Sequence, residues 1–207
     1  MRSTRQPSTG TLVRHGRRVM LRTLTASDYA EWIEIRERCR DWLLKWEPRP
    51  AGAPFPPEDR NSFVARCSLR ERERQLGTGF GFGIFAGGRL VGELTLSSVQ
   101  RGPFQCAYIG YWVDQAQAGR GYVPEAVAVA LAFAFDDLEL HRIEISIIPR
   151  NDRSHRVVEK LGIRKEGVAQ RYLQIDGVWE DHTRYAITSE EWVIRRDELR
   201  DAWLDPD

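Results

Sequence analysis

The feature that most constrains this chain is a glycine loop that joins a strand-like run to a helix-like run. The run Tyr108–Val113 is aromatic and β-branched, as strands often are, and Gly119 and Gly121 follow it. From there Tyr122–Phe135 is almost wholly apolar, which predicts a long buried helix. The first N–H groups of a helix have no intrahelical acceptor, and glycines let an anion come close to the backbone. The stretch therefore predicts a site for a phosphate-like anion.

The charge balance and the apolar runs limit the partners. The 207 residues include 31 basic and 30 acidic side chains, so no bulk attraction to nucleic acid or to a membrane surface is indicated. No apolar run approaches the roughly 20 residues that a membrane span needs. We therefore expect neither DNA nor a membrane as a partner. Three dispersed cysteines, Cys39, Cys67 and Cys106, indicate reduced thiols in a cytoplasmic protein.

The two ends of the chain indicate how it is divided. No acidic residue precedes Asp28, whereas several arginines do, so we expect a flexible basic tail over residues 1–10. A hairpin with a His15–Gly16 turn then opens a domain that we expect over residues 11–188. The pattern Thr188-Ser-Glu-Glu191 predicts a capping box. It would begin a C-terminal helix, over residues 189–207, that packs on the same domain.

Periodicity along the rest of the chain predicts one α+β domain with a mixed, mostly antiparallel sheet. Turns at Gly87–Gly88 and Asp176–Gly177 each separate two alternating runs, which predicts hairpins. The proline-rich segment 47–57 predicts a loop of the length often found over a site. Two helices are expected to bury these residues: Phe63, Val64, Cys67 and Leu69 in a helix over 57–74, and Trp192, Ile194 and Leu199 in the terminal helix.

Two common nucleotide loops do not fit the glycine loop. The sequence has no GxxxxGK[ST] pattern, and Pro124 stands where the dinucleotide pattern GxGxxG needs its third glycine. The order of elements also differs, because the strands before the loop form hairpins rather than a βαβ unit. Both nucleotide-binding folds are therefore excluded.

A third pattern fits the chain better. After the loop and its helix come a strand and then Asn151-x-x-Ser154, which precedes a short helix ending Lys160-Leu-Gly162. From about Val19 to Thr188 this order resembles the GNAT N-acetyltransferase superfamily. It looks most like the RimJ/RimL branch, which acetylates N-terminal α-amines of ribosomal proteins. The closer resemblance is carried by Trp46-Glu-Pro48, Ile109-Gly-Tyr-Trp-Val113, Gly119-Arg-Gly-Tyr122, Glu125-Ala126, His141-Arg-Ile-Glu144, Asn151-Asp-Arg-Ser154, Glu159-Lys-Leu-Gly162, Glu166-Gly167 and the stretch from Asp176 to His182.

The resemblance implies a GNAT fold whose central sheet is splayed at the cofactor strand and flanked by helices on both faces. It also implies acetyl-CoA as co-substrate. In the family the pyrophosphate lies on the loop before the long helix, and the pantetheine arm runs along the preceding strand. These sites correspond to Gln117, Ala118, Gly119, Arg120, Gly121 and Tyr122 for the pyrophosphate, Trp112 and Val113 for the arm, and Asn151 and Ser154 near the thioester. The four histidines are widely separated, so we expect no metal.

Two positions depart from the family pattern. The loop usually begins with Gln or Arg, where this chain has Ala116, so we expect a cradle made mainly of backbone. The tyrosine that acts as general acid in many members would fall at Val158, so we expect Ser154 to protonate or stabilise the leaving thiolate. A backbone N–H near Val113, where the strand is expected to diverge from its neighbour, would stabilise the oxyanion.

The general base is assigned less directly. An N-terminal α-amine has a pKa of roughly 7.7–8.0, against about 10.4 for lysine, so a carboxylate acting through water could suffice. Glu93, on the strand before the cofactor strand, is the leading candidate. Glu144, Glu166 and Asp181 are further candidates of the same kind.

The expected acceptor is a protein N-terminal α-amine, such as that of a ribosomal protein. We expect Trp42, Trp46, Tyr111 and Tyr172 to line its site. Two other functions stay open from the sequence. One is an acetyltransferase for a small amine, such as a polyamine or an antibiotic, although the segment from Trp42 to Pro57 offers only Glu47 as an acidic residue. The other is a non-catalytic CoA-binding regulatory or assembly module. A monomer and a homodimer are both compatible with the sequence.

Overall fold

The computed structural model describes residues 12–53 and 57–204, so the predicted basic tail over residues 1–10 lies outside the described residues. Within them the strands are β1 Val13–His15, β2 Val19–Arg22, β3 Phe80–Ala86, β4 Arg89–Gln100, β5 Cys106–Val113, β6 Arg142–Ile147, β7 Arg164–Ile175 and β8 Val178–Thr188. They form one sheet in the order β1-β2-β3-β4-β5-β6-β8-β7. Among these described strands β5 and β6 are parallel and the other neighbours are antiparallel, which confirms the mixed sheet.

Helices cover both faces of the sheet, as expected. They are α1 Tyr29–Arg38, α2 Arg40–Leu43, α3 Arg60–Leu76, α4 Tyr122–Ala132, α5 Asp152–Lys160 and α6 Ser189–Trp203. Trp32 of α1 and Phe63 of α3 pack with Phe85 and Leu90 on one face. The helices α4, α5 and α6 share the larger core on the other face. The apolar run of α4 continues beyond Ala132 as a wider π-type turn over Phe133–Asp137.

Local signals in the sequence placed the turns and caps correctly. Residues 87–88 join β3 to β4, and residues 176–177 join β7 to β8. The Asn151 side chain accepts a hydrogen bond from the Ser154 N–H at the start of α5. The capping box of Thr188 and Glu191 begins α6. Each of these signals depends on neighbouring residues, so packing elsewhere in the fold does not change the turn or cap that it predicts.

Two predicted helix faces were right only in part, because Phe63, Trp192 and Leu199 are buried as expected and other members are not. On α3, Leu69 is 56% exposed and Val64 is also exposed, because the helix presents arginines to the sheet instead. Arg66 bonds to Glu93 on β4, and Arg70 lies against Gly81 of β3. On α6, Ile194 is 81% exposed because the buried stripe consists of Trp192 and Leu199, two turns apart.

The parallel pair β5–β6 separates soon after it begins. Its paired residues are Cys106 with Arg142, Ala107 with Ile143 and Tyr108 with Glu144. Beyond them β5 stays paired with β4 as far as Val113, and β6 stays paired with β8 as far as Ile147. The opening therefore begins at Ile109, and the prediction that divergence starts near Val113 was four residues too late.

The strand pair β4–β5 forms one wall of this opening and depends on a glycine. A Cβ at Gly92 would lie 2.2 Å from the Trp112 carbonyl oxygen, so Gly92→Ala must push the two strands apart. We expect a loss of about 1–3 kcal/mol in the free energy of unfolding, measured by urea denaturation. Gly110→Ala is the matched control because a Cβ there meets nothing within 4 Å. Equal stabilities of the two variants would contradict the close approach.

Candidate active site

The opening between β5 and β6 is bridged by side chains from both sides. The Tyr111 hydroxyl donates to the Ser154 carbonyl oxygen at 3.3 Å, which connects β5 to the first turn of α5. Burial raises the pKa of Tyr111, so the phenol keeps its proton and remains a donor. At the far end, Trp42 Nε1 donates to the Val113 carbonyl oxygen at 3.2 Å. Along residues 109–113 the backbone edge that faces β6 has no strand beside it, and such groups require polar partners.

The loop after β5 is shaped for an anion. Asp114 accepts the Ala116 N–H at 3.0 Å and caps a short turn over residues 115–117. Gly119 and Gly121 then adopt φ angles of +83° and +85°, which favour glycine. In the described part of the chain, the N–H groups of residues 119–121 have no protein acceptor. A diphosphate fits the chemistry of these backbone N–H groups.

Two buried carboxylates hold the ends of this loop, and the sequence reasoning missed both roles. Asp114 accepts from Arg38 at 2.7 Å and from the Cys39 thiol at 3.3 Å, which ties the loop to the end of α1. Glu125, in the first turn of α4, is 1% exposed and pairs with Arg18. A signal for Glu125 existed: it is the one carboxylate in an otherwise apolar helix. Asp114 offered only the weaker signal of an acidic residue before a turn.

Asn151 and Ser154 lie on the α5 side of the opening. Both are half-buried in the first turn, and the Ser154 backbone contacts Tyr111. Val158, one turn later, is fully buried in the core rather than facing the opening. Ser154 is therefore the hydroxyl that the first turns of α5 bring to this place.

Glu93 is buried beside Trp112, with which it pairs across β4 and β5. Its carboxylate accepts from Trp32 Nε1 at 2.6 Å and from both terminal nitrogens of Arg66 at 2.9–3.1 Å. Glu93 and Arg66 line two cavities, of about 230 Å³ on the Trp112 side and about 210 Å³ on the β3 side. Glu93 therefore has access to a cavity, but as an ion-paired carboxylate.

The other carboxylate candidates also have partners. Glu144 pairs with Arg142 and Arg184. The Arg142 guanidinium, assisted by that of Arg164, lowers the pKa of Glu166. Asp181 is exposed and accepts a backbone N–H of the β7 bulge. Each of these carboxylates is therefore already bonded to another group of the protein.

The four aromatic residues predicted to line an acceptor site fall into two groups. Trp42 and Trp46 flank Lys45, and the guanidinium of Arg153 lies 4.3 Å from the Trp42 ring. Tyr111 spans the opening next to them. Tyr172 lies on β7, where its ring contacts Arg184 and His182, its hydroxyl interacts with Tyr108 and Ser146, and burial raises its pKa. The structure thus places Trp42 and Tyr111 at the opening and Trp46 beside Lys45 and Arg150. Tyr172 reaches the start of the opening from β7.

The segment after Trp46 is fixed to the β7–β8 hairpin. Pro48 forms a β-bridge with Ile175, and the Arg49 N–H donates to the Gln174 carbonyl oxygen at 2.8 Å. The Gly177 N–H donates back to the Arg49 carbonyl oxygen at 2.9 Å. The segment therefore runs from the end of β5 to the tip of the hairpin and borders the opening.

The described residues contain no group of three side chains that could hold a metal ion. Within residues 12–53 and 57–204, none of the helices is both long and apolar enough to cross a bilayer.

Comparison with protein families decides the identity of this arrangement. A family model described as the acetyltransferase (GNAT) domain matches residues 18–164, which include strands β2 to β6, the glycine loop and α5. The chain belongs to the GNAT acetyltransferase family.

Similar proteins extend the match to nearly the whole chain. The probable N-acetyltransferase YjcK of Bacillus subtilis is 36% identical over 175 residues, which are 83% of this chain and 94% of that protein. The [ribosomal protein uS5]-alanine N-acetyltransferase of Escherichia coli is 32% identical over 86% of this chain and 92% of its own. The structure of Mycobacterium smegmatis RimJ in complex with CoA-disulfide has a TM-score of 0.84 and 34% identity, and covers 98% of this chain and 97% of RimJ.

Glu93→Gln tests how much the contacts of Glu93 contribute to the free energy of unfolding of this GNAT enzyme. Arg66 and Trp32 would lose a charged acceptor, so we expect unfolding to cost about 1.5–3 kcal/mol less, by urea denaturation. The control is Glu34→Gln, on the same helix as Trp32, because Glu34 is exposed and bonds to the exposed Arg38 four residues later. That control should lose less than about 1 kcal/mol. A Glu93→Gln variant as stable as the control would show that these contacts contribute little.

Proposed function

We propose that this GNAT enzyme transfers an acetyl group from acetyl-CoA to the N-terminal α-amine of a protein, such as a ribosomal protein. The observation that carries the proposal is similarity along nearly the whole chain to the E. coli enzyme for ribosomal protein uS5. The likeness to RimJ bound to CoA-disulfide supports the cofactor. The proposal places the reaction in the cytoplasm, where ribosomal proteins are synthesised.

The cofactor would be held mainly by backbone groups. The N–H groups of residues 119–122 would contact the diphosphate, and Arg120 would add charge from the exposed side of the loop. The edge of β5 that faces β6, from Ile109 to Val113, would hydrogen-bond the pantetheine arm like an added strand. Asn151 and Ser154 would approach the arm from α5. Bound acetyl-CoA would supply an acetyl group activated as a thioester.

In the reaction the acceptor nitrogen would form a bond to the acetyl carbon while the bond to sulfur breaks. A β5 backbone N–H would stabilise the oxyanion, and the Ser154 hydroxyl would donate a hydrogen bond or proton to the thiolate. The amine proton would leave through water. Because an N-terminal α-amine has a pKa of roughly 7.7–8.0, much of it is neutral near pH 8 without a strong base. Glu93 would then attract and orient the amine or its water.

The segments that border the site favour a narrow acceptor, such as the end of a peptide chain. The segment 47–53 is fixed to the hairpin by backbone bonds, which narrows the approach to a chain end. Glu47, the acidic residue that a polyamine would seek there, is already paired with Arg36. Trp42, Trp46 and Tyr111 would contact the first residues of a peptide, and Tyr172 would contact residues farther along.

The proposal is tested by following thiol release from acetyl-CoA with short peptides. We expect turnover with peptides that begin with Ala or Ser, and none with the same peptides already acetylated at the N-terminus but carrying an internal lysine. Turnover restricted to polyamines or antibiotics would instead establish a small-molecule acetyltransferase. CoA binding without turnover of any amine would establish a non-catalytic module.

Ser154→Ala tests the assignment of the proton donor. If the hydroxyl assists the leaving thiolate, kcat should fall by up to roughly 10²-fold while the KM for the peptide changes little. Ser68→Ala is the control, because that hydroxyl bonds to the Val64 carbonyl oxygen on the outer face of α3. An unchanged kcat in Ser154→Ala would remove Ser154 from the mechanism.

A further inference from the structure

The arginines of the first hairpin differ in their contacts, and Arg22 pairs with Asp28. Arg14 lies over the Phe133 ring and pairs with Asp137, and Arg17 donates to the Leu204 carbonyl oxygen at the end of α6. Arg18 reaches the glycine loop instead. It donates to the carbonyl oxygens of Arg120 at 3.0 Å and Gly121 at 3.4 Å. One arginine of the hairpin thus contacts the loop that binds the anion.

Glu125 fixes the position of Arg18. One carboxylate oxygen accepts the backbone N–H groups of Arg18 at 2.5 Å and Val19 at 2.9 Å, and the other accepts Arg18 Nε at 2.8 Å. A buried carboxylate is costly unless it is fully paired, and these bonds satisfy both of its oxygens. Gly16 leaves the room for this arrangement, because a Cβ there would lie 2.8 Å from the Glu125 carboxylate. The guanidinium is therefore held in one place relative to the start of α4.

The Arg18 contacts orient the N–H groups of the loop. A trans peptide unit is planar, and its N–H points opposite to its C=O. When Arg18 holds the Arg120 carbonyl, the Gly121 N–H must point away from Arg18, and holding the Gly121 carbonyl orients the Tyr122 N–H in the same way. Both N–H groups belong to the predicted diphosphate cradle. Arg18 therefore contacts the side of the loop opposite to the one that would face the diphosphate.

We propose that Arg18, held by Glu125, is a positioning residue that keeps the glycine loop in the conformation that binds the CoA diphosphate. The proposal rests on acetyl-CoA being the acyl donor, as inferred above. It assigns a function to a basic residue near the N-terminus and to the lone carboxylate of α4. It also predicts that the effect of Arg18 depends on the diphosphate rather than on the acetyl group.

Arg18→Lys in the full chain tests this proposal at constant charge. Lysine can keep one contact with Glu125 but cannot reach both carbonyl oxygens, since it lacks the planar guanidinium fork. Arg17→Lys is the matched control, with the same substitution one residue away and contacts to α6. The dissociation constant of CoA is measured by calorimetry. Turnover is compared for acetyl-CoA and S-acetylpantetheine, which has the thioester and arm but no diphosphate.

We expect Arg18→Lys to weaken CoA binding roughly tenfold and to raise the KM for acetyl-CoA similarly, with kcat nearly unchanged. Turnover of S-acetylpantetheine should change by less than about twofold, and Arg17→Lys should match the wild type in each measurement. CoA affinity equal to the wild type would overturn the proposal. An equal loss with both acyl donors would also overturn it, because that pattern indicates general damage to the site.

Nitrogen-15 relaxation of the free protein provides a readout that needs no cofactor. We expect the amides of Gly119–Tyr122 to become more mobile on the picosecond–nanosecond timescale in Arg18→Lys and not in Arg17→Lys. Unchanged order in this loop would contradict the positioning role even if CoA affinity fell. If the wild type failed to bind CoA, the proposed acyl donor would be wrong, and the relaxation data would still decide whether Arg18 orders the loop.

Discussion

The site depends on the early end of hydrogen bonding between β5 and β6. Each strand is committed to an antiparallel partner on its other side, β5 to β4 and β6 to β8, and these two ladders continue after the parallel pairing has stopped. The twist of a sheet then carries the two strands apart. The result is an edge of unpaired backbone in the middle of an eight-stranded sheet. In the proposed function the arm of acetyl-CoA would complete the ladder along this edge.

Buried charges hold the parts around this opening in place. Asp114 joins the start of the loop to α1, Glu125 joins its end to the first hairpin, and Glu93 joins β4 to α1 and α3. Buried ion pairs contribute little net stability compared with apolar packing, since desolvation offsets much of their attraction. Their value here is geometric. Each carboxylate holds two elements at hydrogen-bond distance from each other.

The sequence predicted what depends on neighbouring residues and missed what depends on distant ones. The turn at residues 176–177, the cap at Asn151 and the backbone cradle at Gly119 follow from local conformational preference. The end of the β5–β6 pairing depends on β4 and β8, so it could not be read from β5. The inner face of α3 was predicted only in part. Arg66 and Arg70 face the sheet, whereas Val64 and Leu69, which the apolar pattern predicted to be buried, are exposed. The pairing of Arg18 with Glu125 joins residues 107 positions apart, which no local pattern encodes.

The central claim is that the backbone of β5 beyond Tyr108 receives the cofactor arm. It is tested most directly by amide hydrogen exchange of the full chain with and without CoA. We expect CoA to slow amide exchange in Ile109–Val113. Exchange in Cys106–Tyr108, which already pairs with β6, should stay the same. Saturation with CoA that leaves exchange in residues 109–113 unaltered would contradict it.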